Sequence, residues 1–264
     1  LWVTELAYKL KDNARMFFFI TIVSTMACVA AGTIFAVHIK NAKMYYDEAF
    51  AFQYHPMSQM KSGEDQSLDQ VLQKEKIDYR KYEVQMFWMF DFEDFDHITV
   101  LPVSEFRRIA HVARVKTPAL KPNEAFYVYA ENVKKPKKRG DRVSLKKNQL
   151  SLVIKGTFAK KLISNELLVV NDQTYQWLRT KSGDFPVRSI WVYDVPEWSN
   201  SSLPDRSSKE MEISQRLYEQ NQAELKQGRS GGRVYSRAHQ YMTLKQSAQM
   251  MMFIGFFIAG IFSI

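Results

Sequence analysis

Uninterrupted apolar runs occupy both ends of the chain, and mixed apolar and polar patterns fill the region between them. The first run, residues 16–37, contains no charged side chain. A helix of about 22 residues, at 1.5 Å per residue, spans roughly the 30 Å hydrocarbon core of a bilayer. A second uncharged run begins at residue 248 and continues to residue 264. The pattern predicts two transmembrane α-helices that flank one polar, foldable region.

The region between the apolar runs carries the shorter patterns of an α+β domain. Helical spacing predicts four helices, with Ser104 and Asp172 as the N-caps of the second and third. From residue 234 onward the chain is predicted to continue as helix into the second apolar run. Alternating apolar positions predict strands over residues 47–55, 82–90, 97–101, 125–130, 150–154, 166–170 and 187–195. The predicted helices cover residues 64–77, 105–112, 172–178 and 205–226.

Basic residues before the first apolar run predict the orientation of the chain in the membrane. Lys9, Lys11 and Arg15 precede this run, and such residues favour the cytoplasmic side. The chain begins with Leu and stops inside an apolar run, so we expect a fragment of a longer multi-pass membrane protein. The predicted parts are a cytoplasmic amphipathic segment (1–15), a transmembrane helix (16–38), an extracellular α+β domain (39–247) and a truncated transmembrane helix (248–264).

The charge of the chain points to anionic partners. The sequence has 37 basic and 28 acidic residues, a net charge of +9. Three basic and two acidic residues lie in the first 15 positions, so the predicted outer domain retains +8. A positive domain beside a membrane attracts lipid headgroups, pyrophosphate or acidic protein surfaces. Nucleic acid is not expected as a partner outside the cell membrane.

The densest group of charges is a basic loop at residues 134–147. Only Asp141 opposes its positive charges, and Pro136 and Gly140 favour a loop over a helix or strand. The loop could bind phosphate groups or an acidic partner. A solvated turn between strands is the alternative. The eight basic residues are Lys134, Lys135, Lys137, Lys138, Arg139, Arg142, Lys146 and Lys147.

Small residues mark two further predicted features, a hinge and helix-packing faces. Residues 227–232 read as a helix stop, and Gly228, Gly231 and Gly232 are the predicted hinge. Small side chains within both apolar runs would let other membrane helices approach closely. Their alternative role is that of neutral membrane residues. The predicted packing residues are Ala27, Ala31, Gly32, Gly255 and Gly260.

No catalytic pattern is present, so an enzyme is the least favoured class. The sequence has no nucleophile elbow, phosphate-binding loop or dinucleotide-binding glycine pattern. An acidic run at residues 91–96 is followed by His97, but it lacks the glycine and ligand spacing of a calcium loop. The histidines also lack zinc-site spacing. No catalytic residue and no metal site is predicted.

Residues 4–16, TELAYKLKDNARM, resemble the segment that leads into the seventh membrane helix of bacitracin-export permeases of the Bce type. These are FtsX-like ABC transporter permeases of Firmicutes, with ten membrane helices and one large external domain between the seventh and eighth. Residues 246–257 are similar to the start of the eighth helix. Residues 166–178 are similar to a segment of the family's external domains. The resemblance covers both membrane flanks, and the domain between them matches in size and outline.

The resemblance implies a permease subunit in the plasma membrane of a Gram-positive bacterium that serves peptide-antibiotic resistance and sensing. A separate cytoplasmic ATPase would bind ATP, so no cofactor is expected on this chain. A membrane histidine kinase of a two-component system would be a second partner. The ligand would be bacitracin, a lantibiotic or an undecaprenyl-pyrophosphate-type lipid. A membrane-anchored sensor or scaffold without transport activity is the alternative.

Overall fold

The computed structural model describes residues 2–56, 66–90, 92–145, 150–181, 187–199, 202–228 and 232–261. The chain divides into two compact units. The helical unit consists of Leu1–Lys43 and Tyr241–Ile264, and the sheet domain is Met44–Gln240.

Two long helices connect the units along the chain. Helix α1 covers Trp2–Asp47, and helix α6 covers Arg237–Ile261. Among the described residues, one helical stretch, Met16–Asp47, is long and apolar enough to cross a membrane, with a mean hydropathy of 2.1. Most of its large apolar side chains are exposed, although Tyr45 near its end is buried. One membrane-spanning helix is therefore supported by length and composition, and the second span remains a prediction.

The sheet domain contains nine strands and four α-helices within the described residues, which confirms the predicted α+β class. The nine-stranded sheet has the order β5-β6-β4-β7-β3-β2-β8-β1-β9. The strands are β1 (Phe52–Pro56), β2 (Arg80–Met89), β3 (Ile98–Pro102), β4 (Glu124–Tyr129), β5 (Arg142–Ser144), β6 (Ser151–Ala159), β7 (Glu166–Val170), β8 (Arg188–Asp194) and β9 (Gly232–Ser236). The helices are α2 (Gln66–Lys74), α3 (Val103–Ala110), α4 (Asp172–Lys181) and α5 (Lys209–Lys226).

The sheet is mixed, because two of its pairings are parallel. Strand β3 runs parallel to β7, and β4 runs parallel to β6. The other pairings are antiparallel, including β1 with both β8 and β9. Strand β1 therefore pairs with two strands from the far end of the domain.

Several predicted elements differ from the structure. The predicted helix from residue 234 is wrong at its start, because residues 232–236 form β9 and pair with β1 before α6 begins at Arg237. The predicted strand over 47–55 begins at Phe52, since α1 continues through Asp47. Strand β5 is absent from the sequence prediction; it is three residues long and pairs only with β6.

The core lies on both faces of the sheet. Helix α3 covers one face, where Phe106 and Ile109 pack against β2, β7 and β8 residues such as Val84. Helices α2, α4 and α5 cover the other face. There Leu72 of α2 and Leu217 of α5 belong to one apolar cluster with β8, and α4 packs in a second cluster. Burial of apolar surface on both faces explains why strands such as β7 are almost continuously hydrophobic.

The two predicted helix caps are wrong. Helix α3 begins after Pro102 without a side-chain cap. For α4, the side chain of Asn171 caps the helix by accepting from the Thr174 amide at 2.7 Å. Ser104 and Asp172 instead bind each other: the Ser104 hydroxyl donates to Asp172 Oδ1 at 2.8 Å, and its amide donates at 3.1 Å. The two residues therefore tie the start of α3 to the start of α4.

One side chain of helix α5 forms hydrogen bonds with the backbone of β9, the last strand at this edge of the sheet. The buried Asn221 donates its amide to the Gly232 carbonyl at 2.9 Å. It also accepts from the Val234 amide at 3.4 Å. Asn221 thus occupies backbone groups that a further strand would otherwise bind.

Candidate ligand surface and helix junction

The basic loop lies at one edge of the sheet, between β4 and β6. Turn hydrogen bonds order its backbone, including the Lys138 amide to Asp141 Oδ2 at 2.7 Å and the Gly140 amide to the Ile154 carbonyl at 2.8 Å. Gly140 has a φ of +94°, which favours glycine. The loop is therefore an ordered turn that presents its charges from a fixed backbone.

Seven of the eight basic residues of the loop fall into three groups. The side chains of Lys134, Lys135, Lys138 and Arg139 are exposed, and none of these four forms an ion pair among the described residues. Arg142 is also exposed, but it belongs to β5. Lys146 and Lys147 lie outside the described residues.

Lys137 has a different role from the other basic residues. Its Nζ lies 2.8 Å from Asp94 Oδ1 and 5.9 Å from the centre of the Phe95 ring. The ion pair joins the basic loop to the acidic run that follows β2. Sequence reasoning considered the two charge clusters separately and missed this pairing. Among the described residues, no group of three or more histidine, cysteine or acidic side chains is arranged to hold a metal.

A second cluster, the helix junction, joins the ends of three helices inside the sheet domain. Glu210 of α5 is at its centre. Its Oε1 accepts from Arg237 Nε at 2.9 Å, and its Oε2 accepts from the Tyr45 hydroxyl at 2.6 Å. Arg237 also donates to the Trp198 carbonyl at 2.7 Å and lies 4.7 Å from the Tyr45 ring. Tyr45 comes from the last turn of α1 and Arg237 from the first turn of α6, so one buried carboxylate links both helices.

The buried charges of the junction compensate each other. The side chains of Arg237 and Glu210 are only 7% and 5% exposed. Burial alone lowers the pKa of Arg237, but the adjacent Glu210 carboxylate outweighs this effect and leaves the pKa above its ordinary value. Arg237 therefore stays protonated beside the Glu210 carboxylate.

Residues after α1 extend the junction to the segment that follows β6. Lys161 forms an ion pair with Glu48, and Gln53 donates to the Leu162 carbonyl at 3.1 Å. Burial raises the pKa of the Glu48 carboxyl, and Lys161 partly opposes the change. The Asp47 carboxylate accepts from the Lys161 amide at 3.1 Å. These bonds fix the end of α1 to the sheet on a second side.

The predicted hinge glycines occupy different environments. Gly228 follows α5 with a φ of +65°, and Gly231 lies outside the described residues. Gly232 belongs to β9, where a Cβ would meet Tyr54 Cζ at 2.5 Å and the His55 carbonyl at 2.7 Å. Close approach of β1 therefore requires glycine at position 232. Hinge motion remains a prediction, and an alanine at 232 would disturb packing whether or not a hinge exists.

The predicted helix-packing residues lie on α1 and α6. Ala27, Ala31 and Gly32 are exposed on α1, and Gly255 is exposed on α6. No described atom lies within 4 Å of the position of a Cβ at Gly32 or Gly255. Gly260 lies in α6, and its surroundings are outside the described structure. Packing against further helices remains a prediction.

Comparison with known proteins gives one informative relative. No protein-family model matches the chain. A crystal structure from Bacillus anthracis named as a lipoprotein is 10% identical and covers 70% of this chain and 96% of its own, but its TM-score of 0.35 carries no argument. The chain is 30% identical over 273 residues to the ABC transporter permease protein YxdM of Bacillus subtilis, with 99% of this chain and 41% of that protein covered. The chain thus spans less than half of the relative, and the similarity supports an ABC transporter permease family for it.

Proposed function

We propose that the chain is part of the permease subunit of an ABC transporter for peptide-antibiotic resistance and sensing. The sheet domain lies outside the cell and recognises a bacitracin- or lantibiotic-type antibiotic or its lipid-pyrophosphate target. A separate cytoplasmic ATPase supplies energy, and a membrane histidine kinase reads transporter activity. The observation that carries the proposal is the similarity to a Bacillus permease over 99% of the chain.

The charge of the sheet domain favours an anionic ligand. Four exposed basic side chains project from an ordered turn, while Lys137 holds that turn to Asp94. A strongly positive surface repels a cationic peptide and attracts phosphate groups, to which lysine and arginine donate charge-assisted hydrogen bonds. A lipid pyrophosphate, or an antibiotic complexed with it, therefore fits the basic loop better than a free cationic peptide does.

The helix junction could transmit movement between the ligand-binding domain and the membrane helices. A buried, hydrogen-bonded ion pair holds its partners in one geometry, since separating them leaves an uncompensated charge. Movement of either helix end at Tyr45 or Arg237 would therefore displace Glu210 and α5. Transport-linked movements of the helices would reach the domain through these bonds.

Antibiotic susceptibility of a strain that lacks this gene tests the function. Deletion should increase sensitivity to bacitracin or lantibiotics, and the restored full-length gene should reverse it. A variant with glutamine at the four exposed loop positions should fail to restore resistance, because the phosphate-binding charges are gone while the Lys137–Asp94 pair remains. The substituted positions are Lys134, Lys135, Lys138 and Arg139.

A matched variant separates loop chemistry from total charge. It replaces four exposed basic residues away from the loop with glutamine and should restore resistance fully. If deletion leaves susceptibility to all peptide antibiotics unchanged, the alternative of a sensor or scaffold without transport is favoured. The control positions are Arg107, Lys116, Lys121 and Lys226.

A further inference from the structure

Strands β8, β1 and β9 present cationic and aromatic side chains on one face of the sheet, at the edge opposite the basic loop. His55 pairs in register with Arg233, and Gln53 pairs with Tyr235. Gln53 also pairs with Val192 of β8, which puts Arg188 on the same side by the two-residue period of a strand. We call this surface the arginine face and define it by His55, Arg188, Arg233 and Tyr235.

The outer end of the arginine face is exposed, whereas the reverse side of the same strands is covered. On the reverse side, Tyr54, Trp191 and Val234 pack in the cluster that includes α2 and α5. On the side of the arginine face, α3 lies against β2, β3 and β7, and the segment after β6 covers Gln53, which donates to the Leu162 carbonyl. Arg188, Arg233 and Tyr235 are consequently exposed at the end of the sheet.

Aromatic rings hold the charged groups of the arginine face. The Arg188 guanidinium lies 4.5 Å from the Trp88 ring centre, a cation–π contact that orients it. The His55 ring lies 4.9 Å from the Tyr235 ring, and its Nε2 is 3.1 Å from Gln53 Oε1. Within the described part of the chain, no carboxylate forms an ion pair with Arg188 or Arg233. Their positive charge is therefore available to a ligand.

Burial and two neighbouring positive charges keep His55 in its uncharged form. Burial, followed by the charges of Lys161 and Arg188, lowers the pKa of His55 to about 4. Lys161 forms an ion pair with Glu48. Arg233 lies directly opposite His55 on the neighbouring strand β9. At neutral pH the imidazole is uncharged, and its Nε2–H donates to Gln53 Oε1.

We propose that the arginine face is a second anion-binding site, separate from the basic loop, that takes a phosphate or pyrophosphate group. Arg233 lies opposite His55 on β9, and Arg188 lies on β8 two residues before Ile190, the position that faces His55. The Cα atoms of the two arginines are therefore roughly 12 Å apart, from two strand spacings and a two-residue offset. Two long arginine side chains can close this gap on one anion, and planar guanidinium groups match phosphate geometry. Tyr235 and Trp88 border the site and would contact the non-phosphate part of the ligand.

Calorimetric titration of the full-length protein tests this site. The protein is held in phosphatidylcholine nanodiscs and titrated with inorganic pyrophosphate; a second arm measures its binding to phosphatidylglycerol vesicles. The double substitution Arg188→Gln and Arg233→Gln should weaken pyrophosphate binding about tenfold or more, the effect of losing one charged hydrogen bond. Arg107→Gln, an exposed arginine on α3, should leave binding unchanged.

The outcomes separate this site from the proposed transport function. Weakened binding in the double variant, with unchanged thermal unfolding, supports the site even if resistance assays fail. If the protein binds inorganic pyrophosphate, a free phosphate group is enough for recognition. If it binds phosphatidylglycerol vesicles but not pyrophosphate, the ligand is a lipid headgroup. Arg233→Gln by itself removes a solvent-exposed side chain and should weaken binding without altering the Trp88 contact. Unchanged affinity in the double variant, or loss of affinity only when the basic loop is neutralised, overturns the proposal.

Discussion

At the scale of single residues, His55 links the protonation of one side chain to the stability of the sheet domain. Its pKa falls from 6.5 to about 4 on folding. A lowered folded pKa means that the unfolded chain binds the proton more readily. The uncharged His55 ring therefore makes its full contribution to the free energy of unfolding above pH 6.5, and this contribution is lost as the pH falls toward 4.

The pH dependence of unfolding should change when His55 is replaced. The wild-type free energy of unfolding contains a component of roughly 3 kcal/mol that disappears between pH 6.5 and 4, from a shift of about 2.5 pKa units. His55→Gln should lack this component, and Arg188→Gln should show a smaller one because a cationic neighbour is gone. Chemical denaturation of the purified chain at several pH values measures the difference. Identical wild-type and His55→Gln profiles would contradict the assignment.

At the scale of secondary-structure elements, the junction between α1, α5 and α6 depends on one buried carboxylate. Glu210 satisfies both Tyr45 and Arg237, and Ser208 caps the same helix end by accepting from the Met211 amide at 3.3 Å. Loss of the carboxylate charge would leave Arg237 buried and uncompensated. An unpaired buried charge costs far more than a missing surface ion pair.

Glu210→Gln should lower the free energy of unfolding by about 3–5 kcal/mol, as expected for breaking a buried pair. The double variant Glu210→Leu with Arg237→Met should be more stable than Glu210→Gln, because neither buried charge remains. The control Glu105→Gln breaks the exposed pair with Arg108 and should cost less than about 1 kcal/mol. Thermal and chemical unfolding measure all three. A loss below about 1 kcal/mol for Glu210→Gln would show that the pair contributes little.

The elements that sequence reasoning predicted well are those with a local signal. Strand β7 has the predicted bounds, 166–170, because its apolar run is continuous, and α2 lies within the predicted range of 64–77. Strand β9 was missed because its identity depends on pairing with distant β1, while the glycines beside it indicated a helix stop. The arginine face was missed for the same reason. Its residues come from three strands that only the sheet order brings together.

At the scale of the whole molecule, both long helices, α1 and α6, are bonded to the helix junction inside the sheet domain. The boundary between the helical unit and the sheet domain falls after Lys43, within the continuous helix α1. The residues that bind Glu210 and Lys161 all follow this boundary. The domain therefore contains its own core and junction, and helix α1 runs without a break from the helical unit into that junction.

Insertion of Gly-Gly-Ser between Lys43 and Met44 should abolish resistance while the sheet domain remains folded. Glycine breaks helical continuity, so movement of the helix would no longer reach Tyr45. The same insertion between Lys116 and Thr117, in a loop after α3, should retain resistance. Susceptibility tests and protease resistance of the domain measure function and folding separately. Full resistance with the insertion after Lys43 would show that helix continuity is not required.

The position of β1 at the beginning of the domain constrains how the protein is made. Phe52 pairs with Tyr193 of β8 and Ser236 of β9, so both neighbours of the first strand are synthesised last. Pairings between residues far apart in sequence form slowly, since a long loop must close first. Neither edge of β1 can form its native pairing until β8 has been synthesised, and the second edge has no partner until β9 follows. The nascent domain therefore needs protection from premature pairing or proteolysis until almost all of it has been synthesised.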